Sequence, residues 1–329
     1  MERVISGIRP TGNLHLGNYF GAVKSFVQMQ NEYDCMFFIA DWHSLTTHPK
    51  PENIRNSART ILCEYLACGI NPEIAPIYVQ SDVKQVLELY LYLNMNAYLG
   101  ELERVTSFKD KARKQPDNVN AGLLTYPTLM AADILMHKAD KVPVGKDQEQ
   151  NMEMARLFAR RFNRIYDVDY FKEPESFYFN AKAVKVPGLD GSGKMGKSEG
   201  NCIYLCDSEE VIRKKVMRAV TDAGPTMLNQ EKPEVIQNLF TLMELVSDKQ
   251  TYDYFNDQYN NMAIRYGDMK KQLAQDINAF CAPIREKIVA YQNDDEYLAK
   301  VLRLGAERAS ERAEKTLEEV RQIIGFRRI

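Results

Sequence analysis

The chain of 329 residues carries 43 Lys+Arg against 45 Asp+Glu, a formal charge of −2, with 45% hydrophobic and 27% charged residues. Such a composition excludes a disordered polymer and a generally basic DNA-coating protein. Apolar runs such as Cys35–Ala40 fall far short of the roughly 20 residues a bilayer helix needs, and no long apolar leader opens the chain, so a cytoplasmic protein of about two domains is expected, with no DNA or membrane partner. In chain order, Arg3–Gly7 reads as a strand, Asn18–Glu32 as a helix and Cys35–Trp42 as a buried strand. Glu52–Cys68 reads as a helix, Ile74–Gln80 as a strand and Val83–Leu99 as a helix. Leu123–His137 and Asp147–Asn163 follow as two further helices. Strands separated by helices of this length predict an α/β fold, a doubly wound parallel sheet with right-handed crossovers.

A change of chemistry comes at residues 164–200, where two prolines, five glycines and a group of lysines read as loop. Beyond Ser208 the pattern is helical. From Ala306 through Ala309, Ala313, Leu317 and Val320 to Ile324 the apolar residues recur every three or four positions, one amphipathic face. An all-α second domain is therefore expected, with boundaries at 1–190 and 191–293 and a terminal helix, 294–329, packing back on the first domain. The six cysteines lack zinc-knuckle spacing and read as reduced thiols. No structural metal is expected.

Two segments carry chemistry. The first strand runs into Ser6-Gly7-Ile8-Arg9-Pro10-Thr11-Gly12-Asn13-Leu14-His15-Leu16-Gly17-Asn18. A strand, a tight Gly/Pro loop and a helix start present free backbone N–H groups to an anion, and an ordinary βα turn with a surface histidine is the plain alternative. The second is Gly191-Ser192-Gly193-Lys194-Met195-Gly196-Lys197-Ser198, which satisfies the phosphate-loop pattern. A true phosphate loop leaves a buried strand and opens a helix. Here Pro187 and charged residues precede it, and Glu199-Gly200-Asn201 does not continue a helix. A mobile loop setting Lys194 and Lys197 on a polyphosphate fits better. A phosphate-loop NTPase and a solvated basic linker remain open at this point.

His15-Leu16-Gly17-Asn18 resembles the HIGH signature of class I aminoacyl-tRNA synthetases, and Lys194-Met195-Gly196-Lys197-Ser198 resembles their KMSKS loop. Between them, Gly100-Glu101-Leu102-Glu103-Arg104, Ser107-Phe108-Lys109-Asp110-Lys111, Gly122-Leu123-Leu124-Thr125-Tyr126-Pro127, Met130-Ala131-Ala132-Asp133-Ile134-Leu135 and Val142-Pro143-Val144-Gly145-Lys146-Asp147-Gln148 resemble the bacterial tryptophanyl-tRNA synthetases in particular, and the likeness spans essentially the whole chain. Three departures stand out: Asn18 replaces the last histidine of the first signature, Gly196 the first serine of the second, and Arg9 a glutamine found in some relatives.

The resemblance implies a Rossmann-like catalytic domain and a two-step reaction: activation of L-tryptophan by ATP, with Mg²⁺ riding on the nucleotide, then transfer to the 3′ end of the cognate tRNA. It implies that Lys111, Lys194 and Lys197 stabilise the triphosphate as pyrophosphate leaves. Arg9, Pro10, Thr11, Gly17 and Asn18 would meet ATP, as would Met195, Gly196 and Ser198 beside the loop lysines. Gly145, Lys146 and Asp147 would lie near adenine and ribose, with Val186 a further adenine-side candidate. Asp133 would accept the indole N–H, with Met130, Val142 and Val144 as walls. Tyr126 and Gln148 would take the α-ammonium group, and His43 would stand nearby. The helical domain, with Arg213, Lys214, Lys215, Arg218, Lys270 and Lys271, would read the tRNA of a homodimeric enzyme. Tyrosyl-tRNA synthetases share both signatures; a nucleotidyltransferase would share the HIGH-like turn but has no need of a large helical second domain, and intact Lys194 and Lys197 argue against a non-catalytic relative.

Overall fold

The computed structural model describes residues 1–145, 148–177 and 185–326. Among the described residues five strands form one parallel sheet: β1 (Arg3–Ile8), β2 (Asp34–Ile39), β3 (Ile77–Val79), β4 (Lys141–Pro143) and β5 (Glu175–Phe177), in the order β3-β2-β1-β4-β5. The chain builds outward from β1 to β3 and then restarts on the other side at β4. The sheet therefore reverses its winding between β1 and β4, the place where open α/β sheets form a ligand crevice beyond the carboxyl ends of their strands.

Alternate strand residues bury opposite faces. Val4, Cys35, Phe37, Ile39 and Ile77 join one core, while Ile5, Met36, Phe38, Tyr78 and Val142 join the other. That two-sided burial explains the near-continuous apolar run of β2.

Several expected elements are shorter than their apolar runs. The strand expected over Cys35–Trp42 stops at Ile39, and Asp41–Ser44 forms a short helix, α3. His43 thus stands on a helical turn beyond the strand. The strand expected from Ile74 is reduced to β3, with Gln80–Asp82 in a 3₁₀ turn. The first expected helix begins two residues early, as α1 (Leu16–Asn18), a π turn over Tyr19–Val23, and α2 (Lys24–Met29). The long helix read over Val83–Leu99 ends at Met95, as α5 (Gln85–Met95), before a separate turn, α6 (Leu99–Leu102). β4 and β5 are too short to leave a pattern in the sequence.

The first core extends through Val186, Leu189, Met195, Ile203 and Leu205 into the helical half. There α4 (Pro51–Cys68) packs against α14 (Tyr266–Gln292). The last helix, α15 (Asp295–Ile323), lies along β3 and buries Ala309, Ala313, Leu317 and Val320 in the second core. Its approach is set by Gly305, where a Cβ would stand 1.9 Å from the Ile77 carbonyl oxygen. The amphipathic face read from the sequence is thus the face buried in the second core, against β3 and α5.

Candidate active site

The turn after β1 is held in place from three directions. Leu16 N–H donates to the Ile203 carbonyl at 3.0 Å and Leu205 N–H to the Leu14 carbonyl at 3.0 Å, so the first signature pairs with the segment leaving the lysine loop. Lys197 reaches back and donates its Nζ to the carbonyls of Thr11 at 3.3 Å and Gly12 at 3.0 Å. From below, Glu64 accepts the Leu14 N–H at 2.8 Å. The two signatures, far apart in sequence, form one joint.

His15 caps α1. Its N–H donates to the Asn18 Oδ1 at 3.1 Å, which leaves the Asn18 amide nitrogen as the end that can donate elsewhere. Burial, helped by the charges of Lys197 and Lys194, lowers the His15 pKa to about 4, so its imidazole is neutral at pH 7. Gly17 is required by the same packing: a Cβ there would stand 2.8 Å from the His15 ring.

Two concavities meet on this turn. A cleft of about 820 Å³ lies between the first signature and the lysine loop, lined among others by Gly17, Asn18, Val186, Lys194, Met195, Gly196 and Ser198. A second cavity of about 380 Å³ opens over the carboxyl ends of β1 and β4, at the switch in strand order. Arg9, His43, Tyr126, Met130, Asp133, Val142, Val144, Gly145 and Gln148 line it. Asn18 and Ala22 border both, so the two spaces adjoin. Volumes of this size suit a small ligand.

In the smaller cavity Asp133, on α9 (Tyr126–Met136), is 3% exposed among apolar neighbours. Buried carboxylates need partners. Gln80 Nε2 donates to both its oxygens at 2.8 and 2.9 Å, and His43 Nε2 lies 2.8 Å from Oδ2. The His43 ring packs edge-on against Tyr126, with centroids 4.5 Å apart, and Lys111 Nζ stands 3.6 Å over the Tyr126 ring. Lys111 belongs to α7 (Thr106–Lys114), which buries none of its side chains. Desolvation against this ring, with the Arg9 charge nearby, lowers the Lys111 pKa to about 8. The segment that leads to α7 is anchored by Arg161, whose Nη2 donates to both Glu101 oxygens at 2.7 and 2.8 Å.

The lysine loop has no helix after it; the chain stays irregular until α11 (Glu209–Met217). That removes the structural context a phosphate loop requires. The loop is instead knitted by Asn201, whose Nδ2 donates to Asp190 Oδ1 at 2.9 Å, Ser192 Oγ at 2.9 Å and the Lys194 carbonyl at 3.1 Å, while Gly196 N–H donates to its Oδ1 at 2.9 Å. Met195 is 2% exposed and packs into the first core, anchoring the loop between its two lysines.

Most candidate residues thus gather around one site. Pro10 is buried and Thr11 exposed in the turn, outside both linings. Thr11 meets Lys197 through its carbonyl. Lys146 and Asp147 lie outside the described residues. Sequence reasoning missed Gln80, Asn201 and Glu64.

The fold and its paired signatures define a nucleotide-dependent ligase of the aminoacyl-tRNA synthetase type. A family model described as "tRNA synthetases class I (W and Y)" matches residues 1–282, and the chain belongs to that family. Which of the two amino acids applies is indicated by the relatives. The chain is similar to the tryptophan–tRNA ligase of Porphyromonas gingivalis, 72% identical over 99% of this chain and 100% of that one. It is 41% identical to the tryptophan–tRNA ligase of Rickettsia conorii, over 99% of each. Among solved structures it resembles the Campylobacter jejuni tryptophanyl-tRNA synthetase complexed with ADP and tryptophan, with a TM-score of 0.88 and 35% identity, covering 98% of this chain and 99% of that one.

Proposed function

We propose that the chain is a tryptophan–tRNA ligase: it activates L-tryptophan with ATP and transfers it to the 3′ end of its tRNA. The observation that carries this reading is the buried Asp133 carboxylate in an apolar cavity that adjoins a cleft bordered by Lys194 of the lysine loop. An indole supplies a further N–H for the acceptor site that Gln80 and His43 leave open on this carboxylate, whereas a phenyl ring offers no donor and forfeits that bond. Met130, Val142 and Val144 wall the ring. Tyr126 and Gln148 take the α-ammonium group at the mouth, beside His43.

In the first step a tryptophan carboxylate oxygen attacks the α-phosphorus of ATP. The bond from that phosphorus to the bridging oxygen breaks, and pyrophosphate leaves with Mg²⁺, which enters as part of the substrate. No side-chain nucleophile is needed, so the protein works by alignment and charge stabilisation. Arg9, Gly17, Asn18 and Ser198 meet the nucleotide, Pro10 and Thr11 shape the turn that carries them, and Gly145, Lys146, Asp147 and Val186 lie on its nucleoside side. Lys111, Lys194 and Lys197 offset the charge that accumulates on the departing oxygens. In the second step a terminal ribose hydroxyl of the tRNA attacks the activated carbonyl and releases AMP.

Residues 1–190 serve as the catalytic unit, 191–293 as the loop and tRNA-reading unit, and 294–329 as the return to the sheet. Of the basic groups expected to face tRNA, Lys270 is instead buried, donating to the Ala219 carbonyl at 2.7 Å, and Lys215 pairs with Asp207 at 2.5 Å. Lys271 pairs with Asp268 at 3.4 Å on an exposed turn, which leaves Arg213, Lys214 and Arg218 for phosphates. A homodimer is supported by an exposed apolar stripe along α5 and into the start of α6, namely Leu87, Leu91, Met95 and Leu99, with Tyr98 between the two helices, a patch that invites a self-complementary partner. Among the described residues no helix is long and apolar enough to cross a membrane, and the cytoplasm is the expected compartment. Amino-acid-dependent ATP–pyrophosphate exchange with all twenty amino acids tests the reading. Exchange with tryptophan alone supports it. Exchange with tyrosine, or hydrolysis without an amino acid, overturns it.

A further inference from the structure

Glu64, near the C-terminal end of α4, has no exposed surface, in a core where an unpaired charge is costly. Its Oε2 accepts the Leu14 N–H at 2.8 Å, and its Oε1 has no hydrogen-bond partner. Leu14 is itself fully buried, and its carbonyl accepts the Leu205 N–H at 3.0 Å. Leu14 is therefore the point where α4, the first signature and the segment leaving the lysine loop are tied together. Two residues before Leu14, the same turn offers the carbonyl of Gly12, and before it that of Thr11, to Lys197.

The titratable groups facing Glu64 are Lys197 from the loop, Cys206 from the segment after it, and Cys63 and Cys68 from its own helix. Burial outweighs them and pushes its carboxyl up to about 8, so at pH 7 Glu64 is mainly a neutral acid. A glutamine amide has the same shape, the same acceptor and no charge.

We propose that Glu64 is a positioning residue for adenylate formation: by fixing the Leu14 N–H it sets the turn whose carbonyls receive Lys197, and so where that lysine stands relative to the triphosphate. The inference rests on the phosphate role of Lys197 given above. Glu64 itself acts through the backbone and touches neither substrate.

The test uses the full chain with Glu64→Gln, Glu64→Asp and Glu64→Leu, alone and combined with Lys197→Ala. Pyrophosphate exchange gives kcat, and equilibrium dialysis gives the tryptophan Kd. Glu64→Gln is expected within about threefold of wild type, and Glu64→Leu and Glu64→Asp to lose about tenfold or more in kcat with the tryptophan Kd unchanged. Glu64→Leu should add little to the loss caused by Lys197→Ala, as coupled groups do. Glu64→Asp, one methylene shorter, decides the matter if the Leu variant does not fold. A wild-type kcat in either, a parallel loss of tryptophan affinity, a Gln variant as impaired as the Leu variant, or full additivity with Lys197→Ala overturns the inference. If Lys197→Ala itself has no effect, the role of the lysine falls first; a strong lysine effect beside silent Glu64 variants defeats the inference alone.

Discussion

Replacing Asp133 by alanine removes one acceptor from two buried donors, the Gln80 amide at 2.8 and 2.9 Å and His43 Nε2 at 2.8 Å. Each donor left unsatisfied costs about 1–3 kcal/mol, so the fold should lose about 2–6 kcal/mol. On the proposed reading tryptophan loses a different bond, from its indole N–H to a carboxylate. Hydrogen bonds to charged groups contribute about 1.5–3 kcal/mol, which at about 1.4 kcal/mol per tenfold predicts a fall of about 10- to 150-fold in kcat/KM for tryptophan. The KM for ATP should change little, because the cleft beside the lysine loop does not include Asp133. Asp133→Asn separates the two effects: its carbonyl still accepts from Gln80, so stability recovers more than tryptophan use does. Thermal melts and steady-state pyrophosphate exchange measure both. A fall of less than about fivefold in kcat/KM for tryptophan, roughly 1 kcal/mol, or an equal rise in the KM for ATP would refute the reasoning.

Lys197→Ala should lower the adenylation rate more than it weakens ground-state ATP binding, as expected of a contact that strengthens while charge develops; equal losses in single-turnover rate and nucleotide Kd would reduce it to a binding residue. Gly305→Ala should destabilise the chain by about 1–3 kcal/mol through overpacking, because its Cβ meets a backbone oxygen of β3 and not a movable side chain; an unchanged melting temperature would contradict that contact. The Glu64 carboxyl, raised from 4.5 to about 8 in the fold, binds its proton more tightly folded than unfolded. Its contribution is therefore fully present below pH 4.5 and lost as the pH rises through 8, a drop on the order of 3–5 kcal/mol. Glu64→Gln should remove that drop, so its melting temperature should gain on wild type between pH 5 and pH 8.5; a difference independent of pH would show that the carboxyl is not perturbed.

What the sequence discloses depends on how local the cause is. β2 and α4 were legible because an unbroken apolar run and an 18-residue helix each state their burial in their own residues. β4 and β5, at three residues each, owe their existence to neighbouring strands, and no local pattern records that. The candidate site divides the same way. Lys194, Lys197 and the residues around His15 declare themselves as short motifs, and Asp133 does so as an acid in an otherwise apolar helix. Gln80 and Glu64 do not, since a polar residue near a strand end or inside a helix looks ordinary until its partner is known. The basic groups of the helical half erred in the opposite direction: Lys270 looked exposed by type but is tied to a backbone carbonyl inside the core.

The arrangement also bears on how the two substrates are coordinated. Asn18 and Ala22 border both cavities, so a carboxylate held at the mouth of the smaller lies beside whatever phosphate occupies the larger. A second route is the run of contacts from Asp133 through His43 and Tyr126 to Lys111. A side chain that satisfies Asp133 leaves His43 against Tyr126 and Tyr126 where Lys111 rests on it, whereas one that fails to do so leaves a buried acceptor short of a partner at the base of that stack. On the proposed reading such a deficit favours a shift of the stack, which would carry Lys111 with it through the Tyr126 ring. Discrimination at the indole would then be read in the rate of phosphate chemistry as well as in amino-acid affinity, because alignment of reacting groups is the main catalytic resource of a site without a nucleophile of its own.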